Sequence, residues 1–218
     1  TMEGCNPEGM PIPERLQAKG IVPFLKVDKG MHDAENGVQL MKDMPGLNDQ
    51  LARAKELGVF GTKMRSVIHE ANGGGIAANI RQQMDFGLQI LDGGLVPILE
   101  PEVSLESESR AQAEALVLSE ALDQLERVPE GKQVMWKLTI PVEPNTYQPL
   151  IEHPKVLRVV ALSGGYSRED ACRELAKNDG MIASFSRALL EVLEAKMDDQ
   201  QFDQALGNAI DEIAAASC

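Results

Sequence analysis

Short apolar runs alternate with helical stretches six times along this chain, and that alternation limits the fold more than any other feature. The runs at 21–28, 59–65, 95–100, 134–141, 156–162 and 181–185 read as strands, the third running on into Pro101 and Glu102. Helical spacing marks 47–57, 76–92, 107–128, 167–177, 186–197 and 200–216, with shorter helices over 13–19 and 146–153. A strand and a helix repeating every 22–40 residues or so require a parallel sheet with crossover helices. Strands covered on both faces explain the nearly continuous apolar runs. Two architectures fit, an open doubly wound sheet and a (β/α) barrel.

The placement of charge separates them. Side chains alternate along a strand. In the first run Phe24, Lys26 and Asp28 share a face; in the second, Gly61, Lys63 and Arg65; in the third, Ile98, Glu100 and Glu102; in the fourth, Met135, Lys137 and Thr139. The charged members stand toward the C-terminal end each time. Parallel strands bring those ends to one side, and a curled sheet aims them at the mouth of a barrel. Strand ends wetter than strand middles would account for one or two such charges, but not for the shared period of two.

Lys137 stands out because an ammonium is costly to bury. Burial and neighbouring cations such as Lys26 and Lys63 both favour the neutral amine, a nucleophile toward carbonyls. The last two strands end differently. Leu162-Ser163-Gly164-Gly165 is a small turn before a helix, and Ser186-Arg187 opens the next helix. Glycine permits close backbone approach, and barrel enzymes often grip phosphate in the loops after their last two strands. Asn72-Gly73-Gly74-Gly75 lacks any nucleotide fingerprint and reads as a flexible loop and helix entry.

Composition closes off other classes. A net charge of −13 argues against general affinity for nucleic acid or anionic membrane. No run is long enough to span a membrane. Cys5, Cys172 and Cys218 are scattered and odd in number, which suits a reducing cytoplasm. His32, His69 and His153 show no metal-ligand spacing.

Six segments in one order now resemble a known family: Leu25-Lys26-Val27-Asp28-Lys29-Gly30, Thr62-Lys63-Met64-Arg65, Val96-Pro97-Ile98-Leu99-Glu100-Pro101-Glu102, the Lys137 strand, Leu162-Ser163-Gly164-Gly165 and Ser186-Arg187-Ala188-Leu189. Together they are similar to class I fructose-1,6-bisphosphate aldolase, closest to its bacterial branch, from about residue 20 onward. The resemblance implies an α/β fold of TIM-barrel type and a lyase of glycolysis and gluconeogenesis. Lys137 would form the Schiff base, with Lys63 and Glu100 in acid–base work. Lys26, Asp28, Arg65 and Glu102 would order the site and hold substrate. Ser163, Gly164, Gly165, Ser186 and Arg187 would grip one phosphate. The substrate is a phosphorylated sugar; no metal or cofactor is implied, because the iminium takes the part of a Lewis acid. A homo-oligomer is compatible with the family.

The family's first two βα units precede the position matching Thr1, and Thr1-Met2 matches the end of the second strand. One partial barrel domain over 1–218, with about six βα units, two open edges and an open core, is the expectation. The family's cleavage-assisting aspartate and the serines for its second phosphate fall in those units. Ser217-Cys218 ends the chain without the terminal tyrosine of animal members, leaving Tyr166, near the glycine turn, as one candidate acid for the enamine. The competing readings are an aldolase for another phosphorylated sugar and a non-catalytic barrel that binds sugar phosphates or a partner.

Overall fold

Six strands pair side by side, all parallel, in the order in which the chain makes them. In this computed structural model, residues 4 and 9–217 are described; residues 1 and 2, Cys5 and Cys218 lie outside them. The elements are α1 (Ile12–Ala18), β1 (Phe24–Lys26), β2 (Val38–Gln39), α2 (Leu47–Glu56), β3 (Gly61–Ile68), α3 (Gly73–Asp92), β4 (Val96–Val103), α4 (Arg110–Leu125), β5 (Val134–Thr139), α5 (Gln148–Ile151), β6 (Val156–Leu162), α6 (Arg168–Leu175), β7 (Ile182–Ala183), α7 (Arg187–Leu190) and α8 (Asp199–Ala215). The parallel order is β1-β3-β4-β5-β6-β7, and β2 lies antiparallel to β3. The result is a half-barrel of the TIM type.

Most of the core lies between the strands' outer face and the helices. Leu47, Leu51 and Ala54 of α2, Ile76, Ile80 and Met84 of α3, and Ala113, Val117 and Ala121 of α4 recur every three or four residues. They pack with the outward strand residues Met64, Leu99, Trp136, Leu138 and Val159 in one buried cluster. The inner face carries a much smaller apolar floor of Ile98, Met135 and Val160, flanked by Val96 and Ile182. Gly61 is required at this floor: a Cβ there would fall 2.3 Å from the Val96 carbonyl and 2.5 Å from the Phe24 ring.

The end strands are shorter than the expected 21–28 and 181–185. Ile21 and Val22 are exposed at the β1 end of the sheet, where no further strand pairs among the described residues. At the other end, the Ser217 hydroxyl accepts the Ala183 N–H at 3.0 Å and so occupies a ladder position. β2 was not expected. It forms a hairpin through Asn36 and Gly37, both at positive φ (51° and 75°), the turn that Asn-Gly favours. The three glycines after Asn72 belong to α3 rather than to a loop, and the Asn72 side chain caps the helix by accepting the Gly75 N–H at 2.9 Å. The helix expected over 186–197 stops at Leu190, because the chain must turn to bring α8 back against α6.

Candidate active site

The charged inner faces meet at the C-terminal ends of the strands. Register makes this unavoidable. Lys63 lies beside Ile98, so Arg65 lies beside Glu100; Ile98 lies beside Met135, which sets Lys137 two residues further up, level with Glu100. Alternation then points Lys63, Glu100 and Lys137 into the same hollow.

Glu100 is the hub. Its carboxylate takes the Lys63 amine at 2.6 Å on Oε2 and the Lys137 amine at 3.2 Å on Oε1. The Glu100 side chain is only 5% exposed and Lys137 14%. Two amines thus meet on one buried carboxylate in the hollow. One layer higher, Arg65 donates to Glu102 at 2.5 Å. That bond, above all, raises the guanidinium's pKa further, so Arg65 stays a fixed cation.

The hollow is a cavity of about 450 Å³ lined by Lys63, Arg65, Glu100, Glu102, Lys137, Ser163, Gly164, Ser186 and Arg187, all expected from sequence, together with Leu162 and Ser184. Leu162 and Ser184 were not anticipated. Their signal was positional: both are small or apolar residues next to the two segments expected to grip an anion. Lys26, Asp28 and Gly165 do not line the cavity. Lys26 donates to Asp28 at 2.5 Å, and the buried Asp28 accepts the Arg65 N–H at 3.3 Å, so this pair braces β3 from the side.

The glycine turn is folded on itself. Gly164 stands at φ 65° and Gly165 at 151°, and the N–H groups of Gly165 and Tyr166 both donate to the Ser163 carbonyl, at 2.6 and 2.9 Å. Arg187 donates to the Gly164 carbonyl at 2.7 Å, which joins the two segments expected to grip an anion across 23 residues of sequence. The Tyr166 hydroxyl is not in the cavity. It accepts from Arg110 at 2.9 Å. Burial works to lower the Arg110 pKa, but Tyr166 and Glu114 outweigh it and the guanidinium ends raised. Burial pushes the Glu114 carboxyl up, against the pull of Val142 N–H and Arg110. His69 binds Gln39 at 3.0 Å.

In this arrangement an amine can form an imine with a carbonyl, the carboxylate beside it can move protons, and the arginine and glycine turn can hold a phosphate. The comparisons with known proteins agree on one family. The family model described as fructose-bisphosphate aldolase class-I matches residues 1–149, which include β1 to β5. The class 1 fructose-bisphosphate aldolase of a Synechocystis species is 50% identical over 211 residues, 96% of this chain and 70% of that protein. A solved structure of the Plasmodium falciparum fructose-bisphosphate aldolase, in complex with TRAP and a small-molecule inhibitor, superposes with a TM-score of 0.78 at 22% identity, over 99% of this chain and 74% of that one. The last likeness speaks for the fold, and the first two, independently of it, for membership: this chain belongs to the class-I fructose-bisphosphate aldolases.

Proposed function

We propose that the chain cleaves fructose 1,6-bisphosphate reversibly to dihydroxyacetone phosphate and glyceraldehyde 3-phosphate through a Schiff base on Lys137, serving glycolysis and gluconeogenesis in the cytoplasm. The observation that carries the reading is the amine of Lys137 at 3.2 Å from a buried carboxylate that a second amine also holds.

The free Lys137 amine adds to the substrate ketone and sheds a proton toward Glu100. The resulting carbinolamine loses its hydroxyl as water when Glu100 returns a proton, and an iminium remains. The iminium carbon accepts the electron pair of the carbon–carbon bond one position beyond its neighbour. A base takes the proton of the adjoining hydroxyl, the aldehyde departs, and an enamine is left. Protonation at carbon and addition of water then release the ketone product and the amine. Lys63 keeps the carboxylate oriented and complements its charge. Ser163, Gly164, Ser186 and Arg187 hold one phosphate; Arg65 and Glu102 border the sugar.

The test is borohydride reduction with dihydroxyacetone phosphate. A covalent adduct on Lys137, lost in Lys137→Met, is the expected result. Binding of the phosphorylated ketone without an adduct would favour the non-catalytic reading, and a faster turnover of another phosphorylated sugar would favour the other aldolase.

A further inference from the structure

Arg110 is a half-buried cation that the proposed chemistry leaves unused. It opens α4 with its side chain only 11% exposed. Its guanidinium reaches three places at once. Nε donates to Glu114 Oε1 at 2.8 Å, Nη1 donates to the Tyr166 hydroxyl at 2.9 Å, and Nη2 donates to the Ile140 carbonyl. The second oxygen of Glu114 accepts the Val142 N–H at 2.8 Å. The ion pair therefore grips the chain on both sides of Pro141, just past the end of β5, the strand that carries Lys137. Proline has no N–H to continue a ladder, so this exit has no sheet bond of its own at that point. Tyr166 directly follows the glycine turn and donates its own N–H to Ser163, closing that turn.

We propose that Arg110 and Tyr166 are positioning residues: they fix the phosphate-gripping turn at a set distance from the Lys137 amine, so that seating the phosphate aligns the ketone for attack. The inference rests on the Schiff-base reading. Neither side chain lines the cavity, so the effect is on geometry and not on contact with substrate. The device suits the task. A guanidinium is a rigid planar fork that can serve three acceptors in one plane. The turn it holds contains two left-handed glycines and has little stiffness of its own. Misplacing reacting groups by about 1 Å costs on the order of 100-fold in rate, so stiffness here has a large effect.

The experiment compares the rate of borohydride trapping on Lys137 with dihydroxyacetone phosphate and with dihydroxyacetone, in the intact protein and in Tyr166→Phe, Arg110→Met and Arg110→Lys. The ratio of the two rates measures what the phosphate contributes to alignment. Tyr166→Phe is expected to lower that ratio by about 10-fold to 100-fold, the size of one hydrogen bond to a charged group, with the slow dihydroxyacetone rate retained. Arg110→Met is expected to lower it further, and Arg110→Lys to restore only part, because an ammonium cannot reproduce the fork. A purely structural role would lower both rates together with the thermal midpoint and leave the ratio in place; that result overturns the proposal. Tyr166→Phe removes one hydroxyl and carries the test alone if the Arg110 variants do not fold. An unmodified protein that yields no adduct with either ketone removes the Schiff-base reading and this inference with it, whereas an unchanged ratio removes the coupling alone.

Discussion

The two faces of one strand, β5, show how this molecule divides its labour. Trp136 points outward and is fully buried beneath the helices; Lys137, the next residue, points inward to Glu100. The outer face is broad and mostly apolar, interrupted by a buried hydrogen-bonded set of Ser66, Asn79 and Gln83 under α3. The inner face has three buried apolar residues at its floor and charge above them. The difference teaches that this fold draws its stability from the helix side and frees the concave side for groups that would otherwise be a burden. On the inner face Lys63 and Lys137 meet Glu100, Arg65 meets Glu102 and Lys26 meets Asp28.

The comparison can be broken at either face. The largest effect belongs to Lys137→Met, which is expected to reduce kcat by about 10⁴-fold or more with little change in the urea midpoint. Retained turnover would remove Lys137 as nucleophile. Trp136→Ala is its mirror image. It is expected to cost about 3–5 kcal/mol in urea unfolding, through loss of the largest buried side chain of the outer layer. Activity of the fraction still folded should stay within a few-fold of the parent. If Trp136→Ala abolished catalysis without destabilising, the division of the faces would be wrong.

Glu100→Gln sharpens the contrast inside the cavity. It keeps the shape, removes the proton shuttle and leaves two amines without their counter-charge. A loss of about 10²–10³-fold in kcat is expected, with slower adduct formation in the trapping assay. Gly61→Ala tests the floor beneath. The added methyl meets the Val96 carbonyl and the Phe24 ring, so about 1–3 kcal/mol of stability should be lost. The smallest effect is one of pH. The folded Glu114 carboxyl has a pKa above its ordinary value, so the folded chain binds that proton more tightly than the unfolded chain does. Its contribution is fully present below the ordinary glutamate pKa and is lost as pH rises through the raised one. The stability of the parent relative to Glu114→Gln should therefore fall with rising pH across that window, as read by urea midpoints.

The helix-covered face was nearly transparent in the sequence. β6 begins and ends where its apolar run does, and Leu47, Leu51 and Ala54 report α2 by spacing alone. The charged inner face was legible for the same reason, since a period of two needs no tertiary information. What the sequence concealed depended on contacts between distant segments. The Val38–Gln39 strand is two residues long: the Asn36-Gly37 turn sets Val38 opposite Glu35, and the strand then pairs with Ile68 and Val67; the Asn-Gly dipeptide was the available sign. The stop at Leu190 overrides good helix formers after it, and Glu191 there accepts the Arg168 N–H at 3.1 Å. Lys26 is aimed by period toward the mouth, yet its amine turns to Asp28 and stays more than half exposed. Arg110 showed only its i,i+4 spacing to Glu114, because its other partners, Tyr166 and the Ile140 carbonyl, come from distant segments.

Glu100 answers to two amines at once, and this ties their fates together. Removing either lysine changes the charge that the other must share, so single replacements at 63 and 137 will not sum. Any route from this chemistry to another must therefore alter the trio in concert, which makes the cavity floor the most conservative ground in the molecule for redesign.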